Sequence, residues 1–174
     1  LDLKHYRTLI SYTDPSFKNS STSDYKATIL VGKTNNGEFH ILKAFADQTS
    51  VTNMVGWHYT IMDFVAGRVP VLYYMEANFM QDLLLDEFKT VGNITGSHIP
   101  IRGDHRAKPD KFARIEAMSP LFERGLILLN EKEKDSPGMM VLVDQLLMFE
   151  KGSKTNDDAP DALEGAVWIL SKRT

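Results

Sequence analysis

The chain has 174 residues, 43% of them hydrophobic and 25% charged, with a formal net charge of −3. This size and composition predict one soluble globular domain, residues 1–174, with a full hydrophobic core. The absence of cysteine excludes disulfides and thiolate metal sites, and no apolar run approaches the ~20 residues of a transmembrane helix. Because the first residue is Leu1 rather than Met, we expect a domain excised from a longer protein.

The first half of the chain predicts an antiparallel meander followed by a helix and a buried strand. The three predicted strands of the meander are residues 5–13, 25–33 and 38–47. The polar residues 17–24 predict a mobile loop, and Asn35-Asn36-Gly37 is a hairpin signal. Helical spacing of apolar residues predicts a helix over residues 51–66. Residues 69–76 are nearly all apolar, as in a strand buried on both faces of a sheet.

The second half of the chain predicts mainly helices. The spacing of Asn78 and Gln81 resembles a capping box and predicts a helix that starts there. From residue 97 onward the predicted elements are a short strand, a helix, an extended segment, a helix, a polar linker and a last helix, at residues 97–102, 108–118, 121–130, 136–149, 151–156 and 159–171. Ser136-Pro137 is a typical helix start, with a capping serine and a proline in the first turn.

Acidic residues from three elements are predicted to meet at one edge of the sheet. A buried strand that follows a helix is expected to lie parallel to the first strand, after a right-handed crossover. Asp14 and Glu76 would then end neighbouring parallel strands, at the edge where open α/β sheets bind ligands. The last helix would bring Asp158 and Asp161 to the same edge, because residues three apart share one side of a helix tip.

Each acid also has an explanation that needs no metal. Asp14 precedes Pro15 as in a turn, and aspartates at a helix start are common caps. Glu76 is harder to explain, because an acid that ends a buried apolar strand is costly without a partner. Gathered carboxylates repel one another, and divalent cations relieve that repulsion. Ligands with only oxygen donors favour Mg²⁺ or Mn²⁺, and two such ions support phosphodiester cleavage.

Residues 102–114 form the predicted DNA contact. Five cationic residues lie in this segment, against two aspartates: Arg102, Arg106, Lys108, Lys111 and Arg114. Such residues bind phosphates without reading the base sequence, although a solvated charged helix face would show the same pattern. Residues 27–34 end in Gly-Lys-Thr like a phosphate loop, but they lack its first glycine. A hairpin follows them instead of a helix N-terminus, which argues against ATP binding.

Four ordered segments carry a family resemblance. They are Tyr12-Thr13-Asp14-Pro15-Ser16 with Ser23-Asp24-Tyr25, then Met75-Glu76-Ala77-Asn78, then residues 111–115 with 120–125, and finally residues 157–163. In this order they resemble the C-terminal nuclease domain of phage terminase large subunits, in the ribonuclease H-like superfamily. The resemblance implies an α/β fold with a mixed central sheet, three antiparallel strands and then parallel strands, flanked by helices.

The resemblance also implies which acids bind metal. Asp14, Glu76 and Asp161 would be catalytic ligands of two Mg²⁺ or Mn²⁺ ions. Asp158 would be a fourth acid that binds directly or through water. In other terminases the position of Asp158 is histidine, whereas Holliday-junction resolvases end in an acid pair with the same spacing. We interpret Asp157 as solvated or as acting indirectly.

The function implied by the resemblance is cleavage of concatemeric viral DNA during genome packaging, in the host cytoplasm. The implied partners are double-stranded DNA, an N-terminal ATPase motor in the full-length chain, the portal and the small terminase subunit, with no membrane. The nearest alternative is a resolvase or ribonuclease H-type hydrolase that uses the same metals. A non-catalytic module that docks DNA or the portal is an alternative of another class.

Overall fold

The computed structural model describes residues 2–15, 25–149 and 156–172. The predicted loop over residues 17–24, which includes Asp24, and nearly all of the predicted linker over residues 151–156 lie outside these ranges.

Six strands form one mixed sheet with the order β5-β4-β1-β2-β3-β6. Their bounds are Leu9–Asp14 (β1), Tyr25–Lys33 (β2), Phe39–Gln48 (β3), Val71–Glu76 (β4), Ile101–Asp104 (β5) and Ile127–Leu129 (β6). The first three strands are antiparallel neighbours, and β4 lies parallel to β1. The two edge strands, β5 and β6, are each parallel to their neighbour. The predicted meander and the predicted parallel strand beside the first strand are both confirmed.

Helices cover both faces of the sheet. Their bounds are Val51–Val65 (α1), Asp82–Thr95 (α2), Lys111–Glu116 (α3), Ser119–Glu123 (α4), Pro137–Leu147 (α5) and Asp158–Lys172 (α6). One face of the sheet packs on α1 and α2, and the other packs on α5 and α6. Because both faces are covered, every residue of β1 is buried. None of the helices in the described ranges is long and apolar enough to cross a membrane.

The predicted starts of one strand and one helix are wrong. In each case an aspartate side chain caps a turn or a helix, and the element begins at a later residue than predicted. β1 begins at Leu9 rather than at residue 5, since Leu3–His5 forms a 3₁₀ turn that Asp2 caps. The helix predicted over residues 108–118 begins at Lys111, because the side chain of Asp110 accepts the N–H of Ala113 and caps the helix there.

The predicted capping box at Asn78 is also wrong. Ala77–Phe79 forms a 3₁₀ turn, and α2 begins at Asp82 after Gln81, whose side chain makes no capping hydrogen bond. The side-chain amide of Asn78 instead donates a hydrogen bond to Oε1 of Glu76 at 2.9 Å. The turn therefore supplies a hydrogen bond to Glu76, an acid of the predicted site, and does not begin a helix.

The extended segment predicted over residues 121–130 is wrong in its first half. Pro120 lies in the first turn of α4, where proline favours a helix. Gly125 follows that helix with a positive φ of 68°, a conformation that glycine adopts at low cost. Only Ile127–Leu129 is a strand.

Candidate active site

The first acid group lies where β1 ends against the start of α6. Asp14 is the last residue of β1, and Asp158 and Asp161 lie in the first turn of α6. All three are buried, Asp158 most completely, at 2% exposed. Three carboxyls from two elements thus share a space with little access to water.

The carboxyls of Asp14 and Asp161 are joined by a hydrogen bond. Burial raises the pKa of Asp14 well above its ordinary value, and the negative charges of Asp161 and Asp158 raise it further. Burial alone would raise the pKa of Asp161 too, but the nearby charges of Lys111 and Arg114 hold it below its ordinary value. A proton is therefore held more tightly by Asp14 than by Asp161.

The start of α6 is fixed by its neighbour α5. The side-chain oxygen of Gln145, a buried residue of α5, accepts the N–H of Ala159 at 3.0 Å. The first intrahelical bond runs from the N–H of Asp161 to the carbonyl of Asp157 at 3.0 Å. Pro160 lacks an N–H and loses no bond in this first turn, so the acidic tip has a defined place.

The second acid group lies at the ends of β4 and β5. Glu76 and Asp104 are register partners at the carboxyl ends of these two parallel strands. The hydroxyl of Tyr12 and the N–H of Arg106 donate hydrogen bonds to Asp104, at 2.6 and 3.1 Å. These acids line an open cavity of about 280 Å³.

Lys108 is the cation of the second group. Its ammonium donates to the hydroxyl of Tyr12 at 2.9 Å and to Oε2 of Glu76 at 3.4 Å. It also lies 3.9 Å from Oδ2 of Asp104, and its charge contributes to the lowered pKa of Asp161. Lys108 thus acts electrostatically on both acid groups.

Tyr12, a residue of β1, interacts with acids of both groups. Burial raises the pKa of its phenol, and so do the hydrogen bond to Asp104 and the charges of Asp104, Asp161 and Glu76. The phenol therefore stays protonated and acts as a donor. Its ring packs against Gly165 of α6 so closely that a Cβ at this glycine would lie 2.5 Å from the ring.

Ion pairs of buried arginines and of the partly exposed Lys111 brace the first group from α3 and from the segment before it. Arg114 donates to Oδ1 of Asp161 at 2.7 Å and to Oε1 of Glu164 at 3.0 Å. Both guanidinium NH₂ groups of Arg106 donate to the two carboxylate oxygens of Glu164. Lys111 lies 3.2 Å from Asp157 and 3.4 Å from Asp161. This bracing orients Asp161 and offsets its charge.

Comparison with known proteins was informative only at the level of structure. Neither a protein-family model nor a curated protein sequence matches this chain. The human cytomegalovirus terminase nuclease domain superposes with a TM-score of 0.71 and 15% identity, over 99% of this chain and 88% of that one. The HK97 bacteriophage large terminase gives 0.64 and 11%, over 96% of this chain and 40% of that one.

A third solved structure is the nuclease domain of the large terminase subunit of bacterial virus Sf6, with manganese and β-thujaplicinol. Its TM-score is 0.55 with 9% identity, over 94% of this chain and 89% of that one. This chain has the fold of a terminase nuclease domain. The predicted ribonuclease H-like α/β architecture is thereby confirmed.

The terminase nuclease fold brings the predicted acids to one edge of the sheet but divides them into two groups. Asp14 and Glu76 each follow a register pair of β1 and β4, Thr13 and Met75. The carboxyl of Asp14 interacts with Asp158 and Asp161, whereas that of Glu76 interacts with Lys108 beside Asp104. Within the described ranges, no three acid or histidine side chains form a group that could hold one metal ion in this arrangement.

The predicted DNA contacts mostly bind acids inside the protein. Arg106, Lys108, Lys111 and Arg114 all pair with carboxylates of the site, and Arg114 is buried. Only Arg102 among the five is exposed. DNA binding by these residues stays a prediction, and the contacts show that four of them also neutralise the acids.

Sequence reasoning missed three residues of the site. Asp104 was missed because the strand predicted over residues 97–102 lies at Ile101–Asp104, so the acid at its end went unrecognised. Glu164 follows Asp161 by one helical turn, a spacing that could have signalled a shared partner. Tyr12 was missed because its hydrogen bonds to Asp104 and Lys108 depend on packing between distant parts of the chain.

The donor chemistry of the site fits a divalent cation. All candidate ligands are carboxylates, which suit Mg²⁺ or Mn²⁺. The raised pKa of buried Asp14 beside Asp161 and Asp158 is the repulsion that a divalent cation relieves. Asp14, Asp158, Asp161 and Glu76 are the acids that would hold such cations, although their side chains do not form one ligand group in the described part of the chain.

Proposed function

We propose that this chain is a metal-dependent endonuclease that hydrolyses phosphodiester bonds in double-stranded DNA. The observation that carries the proposal is the meeting of carboxylates from β1, β4 and α6 at the carboxyl edge of a sheet with the terminase nuclease fold. The Sf6 nuclease domain, which shares the fold, was solved with manganese. Both point to hydrolysis assisted by Mg²⁺ or Mn²⁺.

Asp14, Glu76 and Asp161 would hold two ions, with Asp158 as a fourth acid. When bound, the ions would activate water and stabilise the leaving oxygen. The protein's own cations place these acids: Arg114 fixes the orientation of Asp161 through a buried, charge-assisted hydrogen bond.

Lys108 and Tyr12 would act on the phosphate side of the site. The ammonium of Lys108 borders the cavity beside Glu76, and a cation there attracts a phosphodiester. The phenol of Tyr12, which stays protonated, donates a hydrogen bond to Asp104 and accepts one from Lys108. It thereby holds both side chains near the end of β1. A scissile phosphate would thus meet both a positive charge and the metal-binding acids.

The biological setting that we propose is cleavage of concatemeric viral DNA at genome packaging, in the host cytoplasm. This chain spans 40% of the HK97 large terminase that it resembles in fold. We therefore expect the nuclease to work beside an N-terminal ATPase motor in the same full-length chain, with the portal and the small terminase subunit as partners.

The test of the activity is plasmid nicking with Mn²⁺ or Mg²⁺. The variants Asp14→Asn, Glu76→Gln and Asp161→Asn should each abolish nicking, whereas Asp86→Asn and Glu123→Gln, which change exposed acids elsewhere, should not. Full activity in all three site variants would sink the assignment. Among substrates, linear duplex should be cut in preference to a four-way junction or an RNA–DNA hybrid.

The alternative of a non-catalytic docking module makes a different prediction about metal. If the acids only cap helices, Mn²⁺ should leave the melting temperature unchanged. A metal site predicts a rise in melting temperature with Mn²⁺, because a ligand that binds only the folded state stabilises it. That rise should be lost in Asp161→Asn and kept in Asp86→Asn.

A further inference from the structure

A second cleft lies at the opposite end of the sheet from the acids. Its volume is about 500 Å³. It is lined by residues before the start of β1, at the end of β2 and at the end of α6, among them Arg7, Thr8, Lys33, Thr34, Asn35 and Lys172. We call it the Lys33–Lys172 cleft. None of the residues that line it takes part in the site described above.

The lining of the Lys33–Lys172 cleft is cationic, although the chain as a whole carries a net charge of −3. Of the residues that the structure describes, three cations and no acid line it. Within the described part of the chain, neither Lys33 nor Lys172 forms an ion pair with a carboxylate. Two threonines and an asparagine add neutral hydrogen-bonding groups. Such a lining suits an anion that has several oxygens.

Aromatic rings hold the two lysines at the cleft. The ammonium of Lys172 lies 4.2 Å from the centre of the Trp168 ring, and that of Lys33 lies 5.7 Å from the centre of the Phe39 ring. A cation on an aromatic face is positioned yet keeps N–H donors for a further ligand.

A row of side chains along α6 leads from the acids to this cleft. Trp168 and Lys172 follow Asp161 by seven and eleven residues. These spacings are close to two and three full turns, so the three side chains lie on one side of the helix. The guanidinium carbon of Arg106 lies 4.4 Å from the centre of the Trp168 ring. Trp168 therefore lies between the cation that braces the acid site and a cation of the cleft.

The length of this row matches a short stretch of duplex. Eleven residues of α-helix span about 17 Å, and at 3.4 Å per base pair this is about five base pairs of DNA. We propose that the Lys33–Lys172 cleft binds a backbone phosphate of the same DNA that enters the acid site, about five base pairs from the cleaved bond. This inference rests on the proposed function for the identity of the ligand.

The test is fluorescence anisotropy in EDTA, which prevents cleavage, with the full 174-residue chain. Two probes are compared: a hairpin with a stem of about four base pairs, too short to reach both sites, and a duplex of about sixteen base pairs. The double variant Lys33→Gln/Lys172→Gln is matched by Lys89→Gln/Lys132→Gln, which removes two exposed lysines elsewhere. Thermal melting verifies that both variants fold.

The cleft variant should bind the long duplex roughly tenfold more weakly and lower the slope of log K against log salt by about one, for the one lost phosphate contact. Its affinity for the short hairpin should stay within about twofold of wild type, and the control should change neither value. Equal losses on both probes, an unchanged salt slope or a wild-type chain that binds no duplex would overturn the proposal.

Two further measurements separate this proposal from its rivals. If polyglutamate binds wild type and loses affinity in the cleft variant while the duplex does not, the cleft takes an acidic protein segment and the DNA proposal is wrong. Nicking with Mn²⁺ is measured in parallel. An active wild type with an unaltered cleft variant refutes the cleft alone, whereas an inactive wild type that shows the length-dependent loss refutes the nuclease alone.

Discussion

The two acid groups of the site are built in different ways. Asp14, Asp158 and Asp161 are buried between a strand end and a helix tip, and arginines and lysines brace them. Glu76 lies at the edge of an open cavity beside Asp104 and a single lysine. The first group is therefore part of the buried interior, and the second borders a cavity that is open to solvent.

The largest expected effect is the difference in activity between variants of Asp161 and of Asp104. Asp161→Asn should lower the nicking rate by at least about a thousandfold, because it removes a charged ligand that no neighbour can replace. Asp104→Asn should lower it by only about tenfold, because its main partners are the phenol of Tyr12 and a backbone N–H. Initial rates with Mn²⁺ measure both. Equal losses would show that Asp104 also binds the ions.

The bracing of the first group predicts the next largest effect. Glu164→Gln should lower the free energy of unfolding by about 3 kcal/mol, because it leaves Arg106 and Arg114 buried with a weakened partner. The matched change Glu133→Gln, in the more exposed pair with Lys43, should cost less than about 1 kcal/mol. Urea unfolding compares them. A Glu164→Gln loss no larger than that of Glu133→Gln would contradict the bracing.

A buried histidine supports the first group from beneath β1. Nδ1 of His58 lies 3.0 Å from the carbonyl of Met54 and must carry the proton, so Nε2 accepts from the hydroxyl of Thr13, next to Asp14. Burial lowers the pKa of His58 to about 4 from an ordinary 6.5. The unfolded chain therefore binds the extra proton first, and this contribution to stability is present above pH 6.5 and is lost as the pH falls toward 4.

The effect of His58 on pH dependence is measured as a difference in unfolding free energy between the wild type and His58→Gln. Between pH 7 and pH 5 the wild type should lose about 2 kcal/mol more of its unfolding free energy than His58→Gln does, because other titrating groups cancel in the comparison. Denaturant unfolding at several pH values measures it. Parallel curves for the two proteins would mean that the pKa of His58 is the same in the folded and the unfolded chain.

A further expected effect on stability concerns the contact between Tyr12 and Gly165 of α6. Gly165→Ala should destabilise the protein by about 1–3 kcal/mol, because the new Cβ would press into the ring of Tyr12. Gly56→Ala in α1 is the control, since a Cβ there meets nothing within 4 Å, and it should stabilise by up to about 1 kcal/mol. Equal unfolding midpoints for the two variants would show that the close contact between Tyr12 and Gly165 does not affect stability.

Sequence reasoning found the edge of the sheet but not its division into two groups. Asp14 and Glu76 were placed correctly because an apolar run after a helix has few topological solutions. The tip of α6 was placed correctly because Pro160 restricts where that helix can start. These are local patterns and general rules of connection, which one sequence displays directly.

The remainder depends on contacts between residues far apart in the chain. Arg114 and Asp161 are 47 positions apart, and Tyr12 and Lys108 are 96 apart. No periodicity reveals such pairs, so the predicted DNA-binding cations were not recognised as partners of the acids. The shift of β5 by a few residues, which hid Asp104, is the ordinary error of strand boundaries.

The hydrogen bond from Ala159 to Gln145 makes the length of the connection between α5 and α6 less important for the position of the acidic tip. It ties the start of α6 to its neighbouring helix through a side chain, so the position of Asp161 does not depend on the length of the connection. The entropy of closing a loop grows slowly, by about 0.6 kcal/mol for each doubling of its length. A connection of another length would therefore alter overall stability slightly and leave the acidic tip where it is.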